Sequence, residues 1–165
     1  MDYKRGLLAG IPIALGYLSV SFTFGLIAVG YGFTALEATL ISMTTVTSAG
    51  QFAGIQTMIT PGLWLDMLIS QITINVRYSF MSIALSQKLK DDFRGIWRWM
   101  LSFMMTDEVF AVAVGEEEVS RSFFAGLVTL PYFGWAIGTY LGAVLGNVLP
   151  ASVMSALGLD RKSVV

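Results

Sequence analysis

The stretch that decides the fold is LWLDMLISQITINVRYSFMSIAL, residues 63–85. An apolar run of this length can cross the hydrocarbon core of a bilayer, because about 20 residues are needed to span about 30 Å. Arg77 lies inside this run, two residues after Asn75 and eleven after Asp66. A charge near the middle of a membrane helix costs at least about 2.5 kcal/mol on insertion scales, so it persists only where it is paired, hydrated or bound to a ligand. Arg77 is therefore a candidate functional residue.

The composition indicates a helical membrane protein. The 165-residue chain is 55% hydrophobic and 13% charged, with a mean hydropathy of +0.71, whereas soluble domains carry about 25% charged residues. Its net charge of −1 leaves no basic face for nucleic acid. Cysteine and histidine are absent, which excludes disulfides, the usual zinc and haem sites, and Ser-His-Asp or Cys-His catalysis. We expect an all-α, multi-pass transmembrane bundle that is not an enzyme and holds no metal or cofactor.

Apolar runs predict about four to five membrane segments, one of them broken or re-entrant. The runs cover residues 7–30, 35–59, 63–85, 96–114 and 122–149. The second run differs from the others because small polar residues share one helical face, namely Thr44, Thr47, Ser48 and Gln51. Ala49-Gly50 interrupts its middle, and we predict the discontinuity there. The last run has a stripe of small residues at four-residue spacing, Gly134, Gly138, Gly142 and Gly146, which predicts close helix packing.

Basic residues set the predicted topology, because cytoplasmic loops are enriched in lysine and arginine. The basic residues near the first and third runs are Lys4, Arg5, Lys88, Lys90, Arg94 and Arg98. Both groups are predicted in the cytoplasm, so an even number of crossings separates them. Two full spans with a re-entrant segment at 35–59 satisfy that condition. The acidic loop at residues 116–118 is then predicted outside, and the chain returns to the cytoplasm near Pro150.

Residues 63–85 carry polar side chains on two faces when they are projected on a helix. One stripe holds Asp66, Ser70, Thr73 and Arg77, and the opposite face holds Gln71, Asn75 and Ser82. A helix that is polar on two faces cannot face lipid on either, so we expect it at the centre of the bundle. Asp66 lies about 16 Å along the helix from Arg77, too far to be its direct partner.

The sequence leaves two interpretations of Arg77 open. Its planar guanidinium could bind a substrate carboxylate, or it could form a structural ion pair with an acid on another helix. Asp107 and Glu108 supply such acids and project about 100° apart on a helix. One could face Arg77 while the other faces a cavity and takes part in proton coupling, or both could be structural.

The candidate site combines these groups with the polar face of segment 35–59. Hydroxyls and backbone groups of broken helices commonly bind substrate in transporters, although small polar residues also serve helix packing. We predict that Asn75, Arg77 and Asp107 approach one another in the bundle interior, with Gln51 lining the same region. The predicted substrate-binding residues are Thr47, Ser48, Gln51, Asn75 and Arg77, and the predicted coupling or ion-pair residues are Asp66, Asp107 and Glu108.

These motifs resemble the AzlC family, the large subunit of bacterial branched-chain amino acid exporters. The similarity lies in Gly10, Pro12, Gly16-Tyr17, Phe24-Gly25, Ser48-Ala49-Gly50-Gln51-Phe52, Asn75-Val76-Arg77-Tyr78 and Thr106-Asp107-Glu108-Val109-Phe110-Ala111. The order of the Asn-x-Arg and Thr-Asp-Glu motifs is its most specific part. The resemblance implies an inner-membrane permease that exports valine, leucine, isoleucine or related amino acids together with a small AzlD-type membrane subunit.

Two alternatives to a permease remain at this stage. One is a structural or assembly subunit without a substrate site of its own, and the other is a membrane-embedded enzyme built without histidine or cysteine. We expect residues 1–159 to form a single membrane domain, the N-terminal part of a longer permease. The segment Asp160-Arg161-Lys162-Ser163-Val164-Val165 has the sequence that read-through into a sequencing adapter would encode. We interpret 160–165 as a non-native tail, with a short basic cytoplasmic tail as the alternative.

Overall fold

The computed structural model describes residues 2–60 and 64–149, which form seven helices and no strand. The helices are α1 Asp2–Gly30, α2 Ala35–Thr45, α3 Ser48–Ile59, α4 Trp64–Ser86, α5 Ile96–Ser102, α6 Asp107–Val114 and α7 Arg121–Val148. The all-α prediction is confirmed. The proposed tail and Pro150 lie outside the described residues.

Helices α1 and α7 pack closely side by side through glycines on both. A Cβ atom at Gly25 would lie 2.1 Å from the Thr139 carbonyl oxygen, and one at Gly142 would lie 2.0 Å from the Phe22 carbonyl oxygen. Residues further along α1 meet residues further along α7, beginning with Gly6 against the Phe123 carbonyl, so the two helices run parallel. The predicted glycine stripe is therefore a helix-packing surface.

The parallel arrangement corrects one part of the predicted topology. Arg5 pairs with Glu116 at 2.9 Å, and Lys90 pairs with Glu118 at 3.3 Å. The N terminus, the loop after α4 and the acidic loop before α7 therefore share one end of the bundle, which we call the N-terminal end. The two groups of basic residues do lie together, as predicted. The prediction that the acidic loop lies on the opposite side, with α7 leading back to the N-terminal side, is wrong.

Helices α2 and α3 form a hairpin that begins and ends at the opposite end of the bundle, the far end. The Ser42 hydroxyl donates to Gln51 Oε1 at 3.2 Å, although nine residues of straight helix would separate them by about 13 Å. Phe52 packs edge-on against Phe24, with ring centroids 5.3 Å apart, so α3 returns along the last turns of α1. The predicted discontinuity is confirmed.

The break in this hairpin falls at Val46 and Thr47, three residues before the predicted position. Val46 has a left-handed backbone with φ 44°, which β-branched residues rarely adopt. The preceding hydroxyls of Thr44 and Thr45 donate to backbone carbonyls one turn earlier, at 2.7 Å each, a contact that weakens helix continuation. Gly50 instead lies in the first turn of α3, where its backbone N–H needs no partner within the helix.

A second broken segment, α5 and α6, replaces the continuous span predicted at 96–114. Each helix would extend only about 10–12 Å, too short to cross a bilayer. Its ends meet at the N-terminal end, where the Lys88 ammonium donates to the Val114 carbonyl at 2.6 Å. The break has a local cause, because the Thr106 hydroxyl caps α6 by accepting from the Val109 N–H. This hairpin does not cross, which explains why the acidic loop stays at the N-terminal end.

The bundle therefore has five segments, of which α1, α4 and α7 are long and two are hairpins that enter from opposite ends. By length and composition, α1 and α7 qualify as candidate membrane spans. Helix α4 has 23 residues but carries more polar side chains. It contacts both hairpins, yet among its described residues only Leu85 is fully buried. The predicted central position of this helix is thus not observed within the described part of the chain.

Candidate functional site

The breaks of the two hairpins meet at one cavity beside α4. The cavity has a volume of about 340 Å³. Its walls come from the α2–α3 tip, the α5–α6 tip and one face of α4, and are formed by Thr45, Val46, Thr47, Gln71, Asn75, Tyr78, Ser82, Ser102, Phe103 and Met105. Two predicted substrate-binding residues, Thr47 and Asn75, are among them. The cavity lies near the middle of α4, since Asn75 is the central residue of Trp64–Ser86.

Arg77 forms an ion pair with Asp107 beside this cavity. The Arg77 Nη1 and Asp107 Oδ2 atoms are 2.8 Å apart, and the two side chains are 50% and 43% exposed. Asp107 is the first residue of α6, where the free backbone N–H groups stabilise a carboxylate. The other guanidinium nitrogen, Nη2, lies 3.4 Å from the Tyr78 hydroxyl. The predicted approach of Arg77 and Asp107 is therefore observed, but the pair is about half exposed and not in the bundle interior, and its functional role stays a prediction.

Glu108 makes a different contact from its neighbour. Its Oε2 atom lies 2.5 Å from the Tyr17 hydroxyl in the middle of α1, and that hydroxyl is also 2.5 Å from Thr106 Oγ1. The single phenolic proton can be donated to the carboxylate while the oxygen accepts from the threonine hydroxyl. Trp135 of α7 packs edge-on against Tyr17, with ring centroids 4.9 Å apart. Tyr17 thus connects the α5–α6 tip to the pair of long helices.

The α4 face of the site is a row of amides. Asn75 Nδ2 donates to the Gln71 carbonyl at 2.8 Å, and Gln71 Nε2 donates to the Gly50 carbonyl of α3 at 2.8 Å. The remaining acceptor, Asn75 Oδ1, is buried and has no hydrogen-bond partner among the described residues. A buried acceptor without a partner is costly, so a ligand or water that donates to it is favoured here.

The remaining predicted residues lie away from the cavity walls. Gln51 is fully buried and accepts from Trp135 Nε1 at 3.2 Å, so it joins the α2–α3 hairpin to α7. Ser48 is exposed in the first turn of α3. Asp66 is exposed in the first turn of α4 and makes no ion pair within residues 2–60 and 64–149. In this conformation the site therefore consists of Thr47, Asn75 and the neighbouring ion pair.

Two helix N-termini point positive ends toward this region. Helix α6 begins at Asp107, and α3 begins at Ser48 directly after the cavity residue Thr47. The Thr47 side chain does not cap α3, which leaves the first N–H groups of that helix available to a ligand. Free helix N-termini favour anionic groups such as carboxylates.

A second cavity of about 470 Å³, which we call the vestibule, lies on the N-terminal side of the first. Both cavities contact Ser82, Ser102 and Met105, so the α5–α6 tip is the wall between them. The other vestibule residues are mostly apolar and lie near the N-terminal end, namely Leu85, Ser86, Leu89, Phe93, Arg98, Trp99 and Phe124. An apolar vestibule with one arginine suits a small molecule with an acid group and an aliphatic side chain.

Sequence reasoning treated Tyr17 and Tyr78 only as parts of motifs and Gln71 only as part of a polar face, and it predicted no contact for any of them. Gln71 and Tyr78 lie among the other polar side chains of α4, and Tyr17 lies in a largely apolar run, so none of the three stands out from its neighbours in the sequence. The partner of each lies on another segment, so only the tertiary structure identifies it. The capping residue Thr106 had a readable local signal, since threonine followed by two acids is typical of a helix start.

Comparison with known proteins identifies relatives over most of the chain. The family model described as AzlC protein matches residues 12–149. An uncharacterized membrane protein of Archaeoglobus fulgidus is 39% identical over 94% of this chain and 68% of its own length. The inner membrane protein YgaZ of Escherichia coli is 31% identical over 94% of this chain and 67% of its own. The branched-chain amino acid transport protein AzlC of Bacillus subtilis is 24% identical over 83% of this chain and 55% of its own. No solved structure matches it significantly.

Proposed function

Because the chain belongs to the AzlC family, and is thus a multi-pass helical membrane protein like its relatives, we propose that it is an inner-membrane permease that exports branched-chain or related amino acids. The observation that carries the proposal is the meeting of two re-entrant tips at one polar cavity beside an ion pair. Transporters commonly place their substrate between broken helices near the middle of the membrane, with helix N-termini pointing at anionic groups.

The polar groups of the site match the two charges of an amino acid. Arg77 uses Nη1 to hold Asp107, and its Nη2 makes only a long contact of 3.4 Å with the Tyr78 hydroxyl, so this edge can also bind a substrate carboxylate. The uncapped start of α3 offers further N–H donors on the same side. For the ammonium group, the Asn75 Oδ1 acceptor and the Asp107 carboxylate are both within the site.

The cavity walls suit an aliphatic side chain of modest size. Val46, Phe103 and Met105 provide apolar surface opposite the amides of α4. A volume of about 340 Å³ lies at the small end of the range for ligand pockets, about 300–1,000 Å³. Valine, leucine and isoleucine fit such a space, whereas a large cofactor does not.

Proton coupling would have to use carboxylates, because the chain contains no histidine. Glu108 is the carboxylate placed for this role, since it reaches Tyr17 and not Arg77. Asp107 serves the ion pair. Asp66, near the far end of α4, is then a partner-facing or water-facing acid.

A small AzlD-type membrane subunit is proposed to cover part of α4. The exposed side of this helix includes Asp66 and Thr73, and charged or polar groups of a membrane helix avoid lipid. A second protein surface would give them partners. We further propose that the N-terminal end faces the cytoplasm, because Lys4, Lys88 and Arg94 belong to it.

The function is tested by removing one amide that lines the cavity. Asn75→Leu keeps the side-chain size but removes the free acceptor, so valine and leucine efflux from preloaded cells should fall about tenfold at equal membrane level, as expected for losing a buried polar contact to substrate. Asn147→Leu, near the end of α7 and away from both cavities, is the matched control and should export normally. Unchanged efflux in Asn75→Leu would favour an assembly subunit without its own substrate site.

A further inference from the structure

The chain contains two units of the same design in opposite orientations. The first unit is the long helix α1 followed by the α2–α3 hairpin, which enters from the far end. The second unit is the long helix α4 followed by the α5–α6 hairpin, which enters from the N-terminal end. Helix α4 runs antiparallel to α1, because it ends at the N-terminal end where α1 begins. This is the topology of an inverted repeat, and the tips of its two hairpins meet at the cavity of about 340 Å³ beside α4, the central cavity.

The units exchange an equivalent hydrogen bond. Tyr17 in the middle of α1 reaches Thr106, the residue that precedes α6, with an O–O distance of 2.5 Å. Tyr78 in the middle of α4 reaches Thr47, the residue that precedes α3, with an O–O distance of 3.4 Å. Each tyrosine of one unit thus contacts the tip of the other unit's hairpin. Similar sequence separations, 61 residues between the tyrosines and 59 between the threonines, support the equivalence.

Each tyrosine also touches an ionisable residue of the candidate site. Tyr17 hydrogen-bonds Glu108, which follows the α6 tip, whereas the Tyr78 ring and hydroxyl contact Arg77. A change at either tip therefore reaches the group proposed to bind substrate or to couple to protons. The rings of Tyr17 and Tyr78 make their own contacts, with Trp135 and Arg77 respectively. The hydroxyl groups are therefore not required for packing.

We infer that Tyr17 and Tyr78 are positioning residues of two opposed gates, one at each hairpin tip, in an inverted repeat. The gating role rests on the proposed transport function. The contacts of the two tyrosines with the hairpin tips do not depend on it. The α5–α6 tip separates the vestibule from the central cavity through Ser102 and Met105. Release of Tyr17 from Thr106 frees that tip and opens the cavity toward the N-terminal end. Release of Tyr78 from Thr47 opens it toward the far end.

The two contacts differ in length in this structure. The Tyr17–Thr106 contact is short and buried, so the gate toward the vestibule is closed. The Tyr78–Thr47 contact is at the limit of a hydrogen bond and only partly buried, so the opposite gate is the looser one. Two gates that open alternately give each side access to the same site without a continuous channel.

Sided labelling of single cysteines tests the gates, and the natural chain contains no cysteine to remove. Phe103→Cys reports on the α5–α6 tip and Thr45→Cys on the α2–α3 tip, since both side chains line the central cavity and neither lines the vestibule. A membrane-impermeant maleimide is applied to intact cells or to inverted vesicles. Each reporter is combined with Tyr17→Phe or Tyr78→Phe, which remove one hydroxyl and keep the ring.

Tyr17→Phe should raise labelling of Phe103→Cys from the N-terminal side about fivefold, the population change expected for one lost hydrogen bond, and should leave labelling of Thr45→Cys from the far side unchanged or lower. Tyr78→Phe should do the reverse. Tyr140→Phe, on the exposed side of α7, is the matched control. Equal changes at both reporters, or none in variants that reach the membrane at the parental level, would overturn the inference.

The gate inference and the proposed function fail in different ways. If the cysteine reporters respond from opposite sides but no branched-chain amino acid is exported, the gates stand and the proposed substrate is wrong. If export is normal and unaffected by either Tyr→Phe change, the transporter stands and the gates are wrong. In the expected result, each variant lowers valine efflux several-fold while the protein remains at the parental level in the membrane.

Discussion

The ion pair between Arg77 and Asp107 allows a test that separates binding from stability. Arg77→Gln removes both the charge and the planar fork, while Arg77→Lys keeps the charge and loses bidentate geometry. If Arg77 holds the substrate carboxylate, Lys should retain a little export and Gln almost none, with both proteins inserted in the membrane. The double variant Arg77→Gln with Asp107→Asn removes the pair without leaving a single charge behind.

The structure sets the size of the stability effect. The N–O distance of 2.8 Å is favourable, but the side chains are 50% and 43% exposed. Fully exposed pairs contribute about 0.2–1 kcal/mol, whereas breaking a buried pair costs about 3–5 kcal/mol. We therefore expect a coupling energy of about 1–2 kcal/mol between the two residues, intermediate between those limits.

The two single changes should not be equally harmful. In Arg77→Gln, Asp107 keeps its position at the start of α6, where the helix N-terminus stabilises a carboxylate by about 0.3–1 kcal/mol. In Asp107→Asn, the guanidinium retains only its weak contacts with Tyr78. Asp107→Asn should thus lower the membrane level and the resistance to unfolding in detergent more than Arg77→Gln does.

Efflux of valine or leucine from preloaded cells, divided by membrane protein level, provides the assay. Arg94→Gln is the control, because Arg94 pairs with Asp91 in an exposed loop and its loss should change neither quantity. We expect the double variant to recover part of the membrane level and none of the export. Normal efflux from the double variant would refute a substrate-binding role for Arg77 and leave a purely structural ion pair.

Two further predictions concern the fold. In a thermal unfolding assay, Gly142→Ala should destabilise the detergent-solubilised protein by about 1–3 kcal/mol. The reason is that its Cβ would lie 2.0 Å from the Phe22 carbonyl oxygen. The control Gly16→Ala, with open space around it, should be neutral in the same assay. Single cysteines at positions 37 and 60, in place of Glu37 and Thr60, should be labelled from the same side of the membrane. A single cysteine in place of Glu117 should be labelled from the side on which Lys4 lies. Labelling at Glu117 from the side of Glu37 would contradict the parallel packing of α1 and α7.

Much of the fold could be predicted from local sequence. Apolar run lengths identified α1, α4 and α7, and small polar residues identified the broken segment before α4. The positions of the breaks depend on finer features. The α2–α3 break falls at Val46 because threonine hydroxyls end the preceding helix, and Ala49-Gly50 is tolerated in the first turn of α3. The break before α6 was missed because its run is apolar overall, although Thr106 carries a capping pattern.

The acidic loop was placed on the wrong side because acidic residues say little about which side of the membrane a loop occupies. Lysine and arginine bias a loop toward the cytoplasm, but aspartate and glutamate contribute little. The placement of residues 116–118 therefore depended entirely on whether 96–114 crosses the membrane. Once that segment turns back at Thr106, the loop returns to the N-terminal end, and Glu116 finds Arg5 there.

Contacts at the candidate site were predictable where a charge had to be explained and not where neutral groups meet. Arg77 required an acid, and Asp107 was among the few available, so that contact followed from the cost of burying a charge. The neutral contacts of Tyr17 and Tyr78 carry no such cost in sequence, since a tyrosine within an apolar run is ordinary. These contacts can be interpreted only in the folded structure. There Tyr17 of α1 and Tyr78 of α4 each reach the residue that precedes the second helix of a hairpin. In the proposed gating, two tips that enter from opposite ends, each held by the other unit, would give the candidate site two separate ways to open.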